Sequence, residues 1–254
     1  MPYQNLDLPR LRTQPYPEAD FVKRASGIDF PTPTLLLATE GNRRVLRNSG
    51  IPHLIRLEKH FGHQAASTVT EYNLVFLNTG LDTEERTQTL VHESAHSLSG
   101  FLRDYKVRFG IGEYIDASNP QEWQKALAGK ALEEGFANYW ETQAGATEFM
   151  NLRGKQVIAL HQAVIEDAIS QIGPEADLSN PSVAESASYP VGHTFVLSMM
   201  RNLEGIVDRQ EAIRRIANSE PESLDEIMEI PPKMLNLSWL QSAHYKFRSA
   251  VYRL

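Results

Sequence analysis

The chain has no cysteine, which removes disulfides, thiolate metal sites and cysteine nucleophiles at once. Any metal it holds must be taken by histidine and carboxylate side chains. It also lacks an excess of positive charge: a formal net charge of −7 argues against nucleic acid or an anionic membrane surface as a partner. No apolar run approaches the length of a membrane span. Met1 to Tyr16 is polar and proline-rich, without the basic-then-apolar order of a secretory signal. We therefore expect a cytoplasmic protein, an exported form with its signal removed being the other reading. Without such a signal the sequon Asn236-Leu237-Ser238 has no bearing on structure. There is no internal repeat and no low-complexity segment. What is present is ordinary for a globular protein: 254 residues, 41% hydrophobic and 22% charged, enough for a substantial core.

Against that background the stretch Leu90 to Leu102 stands out, because it contains His92-Glu93-Ser94-Ala95-His96. On an α-helix, positions i and i+4 lie one turn apart on one face. His92 and His96 then aim two imidazoles at one point, as a Zn²⁺ ion requires of its first two ligands. Glu93 is placed to reach a metal-activated water rather than the metal, and to act as general base. The flanking Leu90, Val91, Ala95, Leu98, Phe101 and Leu102 supply an apolar stripe. Upstream, Asp82-Thr83-Glu84-Glu85 reads as an N-cap with an acidic residue at the third helical position. The motif thus falls in mid-helix.

Residues 1–19, with Pro2, Pro9, Pro15 and Pro17, read as an extended, partly ordered lead-in. Thr34 to Thr39 reads as a buried strand, Arg43 to Ser49 as a short helix, and Ile51 to Phe61 as a second one. His60 and His63 are better explained as surface histidines than as ligands, since Gly62 weakens the helix they would need. Ser67 to Asn78 has β character and precedes the histidine helix directly. Residues 103–119 form a connector, and a long helix follows from Pro120 to Thr142. Beyond it helices are expected near Asn151–Ile172, Pro190–Leu203, Asp208–Ala217, Ser223–Ile230 and Ser238–Tyr252. The fold class is α+β: a small N-terminal sheet with short helices, packed on a mainly helical C-terminal half. Residues 20–254 are expected to form one catalytic domain, with an α/β lobe over 20–103 and a helical lobe over 104–254.

A catalytic zinc site needs a third protein ligand and an open position. Leu132-Glu133-Glu134-Gly135-Phe136-Ala137-Asn138-Tyr139 offers two carboxylates in mid-helix, and Gly135 permits close approach of the backbone. The pair of motifs, His92-Glu93-x-x-His96 followed by Glu134-Gly135-Phe136-Ala137-x-Tyr139, resembles the gluzincin metallopeptidases, especially their aminopeptidase and thermolysin-like members. The resemblance covers about residues 65–145. It implies a zincin-like fold, one Zn²⁺, and Glu134 rather than Glu133 as third ligand. By its position one turn after Glu134, Asn138 is a candidate support for a ligand histidine. Three departures bound what it implies. The gap from His96 to Glu134 is longer than in the aminopeptidases. Their Gly-x-Met-Glu-Asn segment, which holds a free substrate amine, is absent before the motif. The chain is also too short for their specificity domains. A metzincin is excluded by Ser99 and Leu102, where that family has Gly and His; an aspzincin-like arrangement with Asp104 as ligand stays open.

In the gluzincins a Tyr or His on a later helix stabilises the oxyanion formed during attack. Tyr189-Pro190-Val191-Gly192-His193 resembles that segment, with Pro190 at the first helical position. Tyr189 is the first candidate donor and His193 the second. The expected activity is zinc-dependent hydrolysis of a peptide bond in a peptide or protein substrate. In metallopeptidases of this type a sheet edge beside the active-site helix takes the substrate backbone as an added strand; the 67–78 stretch is either such an edge or a core strand. Two other readings stand: a zinc hydrolase for a non-peptide substrate such as an epoxide, and a catalytically silent zinc-binding interaction protein. The intact Glu93 argues against the last.

Overall fold

The structure, a computed structural model, describes residues 13–14, 17–51, 55, 65–104, 120–144, 163, 181–203 and 205–221. His60, His63, most of the 103–119 connector and nearly all of the helices expected at 51–61, 151–172, 223–230 and 238–252 lie outside these residues. The chain divides into two compact units. One is Met1–Lys23 with Asp29–Tyr114, and the other is Arg24–Ile28 with Ile115–Leu254. The end of the first helix is assigned to the second unit. The α+β class holds among the described residues.

The first unit is built on a mixed sheet of four strands in the order β1-β2-β4-β3, where β1 is Thr13–Gln14, β2 Thr34–Leu37, β3 Ala66–Val69 and β4 Leu74–Leu77. β1 pairs antiparallel with β2, β2 parallel with β4, and β3 antiparallel with β4. Strand side chains alternate between faces, and both faces here are covered. Leu36, Val69, Leu74 and Phe76 bury against Leu46 of α2 (Glu40–Arg47). Leu35, Val75 and Leu77 bury against Ala19 of α1 (Pro17–Ser26) and Leu90 of α3 (Thr83–Leu102). Two covered faces explain why Leu-Val-Phe-Leu in β4 is apolar without alternation.

Two expectations change here. Within the partly ordered lead-in Thr13–Gln14 joins the sheet, and Pro17 opens a helix where extended chain is expected; proline at a first helical position costs nothing because that N–H has no intrahelical partner. The single strand expected over 67–78 is a tight hairpin. A 3₁₀ turn at Thr70–Tyr72 ends on Asn73, whose φ of 47° is left-handed, a conformation asparagine tolerates. Asn73 is itself buried, and its side-chain amide donates to the carbonyls of Pro31 (3.1 Å) and Thr32 (3.3 Å), tying the turn to the approach to β2.

α3 starts as its sequence predicts. Glu85 N donates to Asp82 Oδ1 (2.9 Å), and Asp82 N donates back to Glu85 Oε2 (3.3 Å), a reciprocal capping box. Leu90, Val91, Ala95 and Leu98 form its buried stripe. It ends where Asp104 turns to a φ of 52°.

On α1, Glu18 is half-buried. Burial holds its carboxyl above the ordinary 4.5, opposed by a backbone hydrogen bond and the Arg86 guanidinium. The folded chain therefore holds this proton more tightly than the unfolded chain, and stability is lost as pH rises through the raised value. Glu18→Gln is expected to melt progressively higher than the parent as pH rises toward neutrality, and equally with it at pH below the carboxylate range, as read from melting curves across that series.

The second unit is helical in its described residues: α4 (Pro120–Ala144), α5 (Pro181–Leu203) and α6 (Arg209–Ala217). α5 begins nine residues before the expected Pro190, which lies inside it. Pro181 takes the first helical position instead, and Pro190 removes one backbone bond from the interior. α6 lies where a helix is expected near Asp208–Ala217, and Asp208 caps it, accepting from Glu211 N at 2.9 Å. Leu127, Ala131, Phe136, Trp140, Val196 and Ile213 are among the buried side chains. At the α4–α5 crossing, Gly135 and Gly192 meet backbone to backbone. A Cβ on Gly135 would fall on the main chain of Gly192, and one on Gly192 would fall on the Ala131 carbonyl. The close approach that Gly135 permits is therefore to α5.

Candidate metal centre

The amphipathic stripe of α3 decides where its histidines point. With Val91, Ala95 and Leu98 turned into the core, His92 and His96 share a different, half-buried face. Their rings stand edge to face, with centroids 4.8 Å apart and planes at 73°. Their Nε2 atoms are 3.1 Å apart. Two nitrogens each about 2.0–2.1 Å from one tetrahedral Zn²⁺ stand about 3.3–3.4 Å apart. A proton shared between two neutral rings would account for the same spacing, so the third donor carries the distinction. Glu134, half-buried on α4, supplies it: one ligand atom from each of His92, His96 and Glu134 lies within 4.8 Å of the others. Two imidazoles and one carboxylate, with no sulfur, could hold a metal ion, and such a donor set is chemically compatible with Zn²⁺.

Neither Glu133 nor Asp104 belongs to this group. Asp104 is exposed at the left-handed end of α3, where it closes the helix, so the geometry picks Glu134 among the described carboxylates.

Glu93 is 7% exposed, far more buried than a solvated surface acid. Its carboxylate is not left to rotate. Thr68 of β3 lies across from Val75, which faces α3, and its hydroxyl donates to Glu93 Oε2 at 2.5 Å. The same hydroxyl is 3.2 Å from the Glu93 main-chain oxygen. Sequence reasoning missed Thr68. It carried no mark beyond β propensity, and its partner lies 25 residues away.

Of the candidate donors, Tyr189 is half-buried and His193 is 1% exposed. Both sit on α5 within one turn of Gly192, while Glu134 directly precedes Gly135, its contact on α4. His193 packs edge to face on Tyr139, with centroids 6.3 Å apart. Burial raises the Tyr139 hydroxyl above its usual 10.0, opposed by the Arg209 guanidinium, so Tyr139 stays protonated. Arg209 itself lies 5.9 Å from the Trp140 ring centroid. Asn138 is half-buried on α4.

No helix among the described residues is long and apolar enough to cross a membrane. Compared with protein-family models, curated proteins and solved structures, the chain gives no significant match to any.

Proposed function

We propose that the chain is a zinc-dependent peptide hydrolase of the gluzincin type. The observation that carries this reading is the convergence of His92, His96 and Glu134, with the buried Glu93 next to the first ligand. Bound there, Zn²⁺ supplies Lewis acidity toward a carbonyl oxygen and brings the pKa of a coordinated water toward neutrality. Glu93 takes a proton from the attacking water and delivers it to the leaving amine. Tyr189, more open than His193, is the better-placed hydrogen-bond donor to a developing oxyanion. β3 supports an extended peptide as substrate: among the described strands it is at the sheet edge, and it carries the residue that holds Glu93.

The test is metal analysis of the purified chain beside cleavage of a mixed peptide library read by mass spectrometry. The expected result is about one zinc per chain and cleavage that stops when a chelator removes it and returns with added Zn²⁺. A zinc-loaded chain that cuts no peptide overturns the peptidase reading.

A further inference from the structure

We infer that Thr68 is a positioning residue for Glu93, holding one carboxylate oxygen so that the other is the one that accepts the proton. This inference rests on the peptide-hydrolase reading. The sheet sets the geometry. Thr68 pairs with Val75, and Val75 buries on the face that carries Leu90 of α3. Directly opposed residues in an antiparallel pair share a face, so the Thr68 side chain faces the same helix, while its neighbour Val69 goes to the Leu46 side.

A threonine hydroxyl has one proton to give. Of its two acceptors, Oε2 of Glu93 at 2.5 Å takes it in preference to the main-chain oxygen at 3.2 Å, since a bond to a carboxylate is the stronger kind. A glutamate carboxyl otherwise turns freely about its last torsion. With Oε2 held, Oε1 is left to receive the proton from the attacking water as the new carbon–oxygen bond forms. As the carbon–nitrogen bond breaks, the same oxygen returns that proton to the departing amine. Oε2 remains an acceptor whether or not Oε1 is protonated, so the tie to Thr68 lasts through both transfers. β3 thus fixes the orientation of the base without touching substrate through this side chain.

Thr68→Val keeps the β-branched shape that a strand favours and removes only the donor; Thr68→Ser restores it. With the zinc-loaded full chain and the best-cleaved library peptide, Thr68→Val is expected to retain its zinc and its KM and to lose about 10- to 100-fold in kcat, the scale of a small misplacement of a catalytic group. Thr68→Ser is expected to recover most of that loss. A second measurement needs neither metal nor activity. In the metal-free protein Thr68→Val is expected to lower Tm by about 3–6 °C when Glu93 is present, and to have almost no effect in a Glu93→Ala background. Equal Tm losses in the two backgrounds, or a Thr68→Val enzyme with parental kcat, overturn the inference while leaving the peptidase reading intact. A wild type that holds zinc and cuts no peptide overturns that reading and the kinetic role of Thr68 with it, and the melting pair still decides the tie.

Discussion

Glu93→Gln is expected to keep its zinc and lose about 10³-fold or more in kcat, whereas Glu134→Ala is expected to lose the metal first. The contrast follows from the role the proposed mechanism gives each carboxylate. Gln preserves the shape of Glu93, and its amide oxygen can still accept from Thr68, but the side chain can no longer take a proton at neutral pH. His92, His96 and Glu134 are untouched, so metal content should match the parent. Removing Glu134 leaves two imidazoles 3.1 Å apart and no third donor among the described residues. Affinity should fall by more than about 100-fold, the upper end of what losing a mere supporting residue costs. Zinc titration against a competing chelator, beside kcat on the best-cleaved peptide, separates the two. A Glu134→Ala chain with parental zinc affinity would dismiss it as a ligand.

Gly192→Ala is expected to destabilise the helical unit by about 3 kcal/mol or more, lowering Tm by about 6–12 °C, although propensity alone would favour alanine in a helix by about 1 kcal/mol. The new methyl group would fall on the Ala131 carbonyl, and the corresponding group on Gly135 would fall on the Gly192 main chain. A crowded side chain relieves itself by changing rotamer, but a backbone can only move away, and moving it separates α4 from α5. Gly135→Ala is expected to behave likewise, and also to weaken zinc binding, because Glu134 is its immediate neighbour. Melting curves give the sign at once: a rise in Tm for either variant would mean that the two helices do not touch there.

The sequence was legible where structure depends on near neighbours. The reciprocal cap at Asp82 and Glu85, the stripe of α3, the start of α4 at Pro120 and the existence of α6 are each settled within a few residues. The histidine pair belongs to the same class, since helical spacing alone brings the rings together. The hairpin at 70–73 was hidden because Thr-Glu-Tyr-Asn continues a β-like composition, and the break is made by the left-handed Asn73, held from outside by its bonds to Pro31 and Thr32. Pro190 suggested a helix start, but α5 runs through it. Glu134 could be chosen over Glu133 only by resemblance, because both lie on one helix with nothing local to rank them. The Thr68–Glu93 bond and the Gly135–Gly192 contact depend on segments distant in sequence, which no local pattern encodes.

The capping box at Asp82 and Glu85 has a consequence for how the gene for this chain can change. It fixes where α3 starts, and so the angular phase of every residue after it. Each residue advances about 100° around the axis. One residue inserted or deleted between the cap and His92 would therefore swing both imidazoles by that angle and turn part of the apolar stripe outward. An insertion of about seven residues, close to two whole turns, would nearly restore the phase. Along this stretch, then, spacing is more constrained than identity: apart from Asp82 and Glu85 themselves, exposed residues of the first turns can be exchanged freely, while their number cannot.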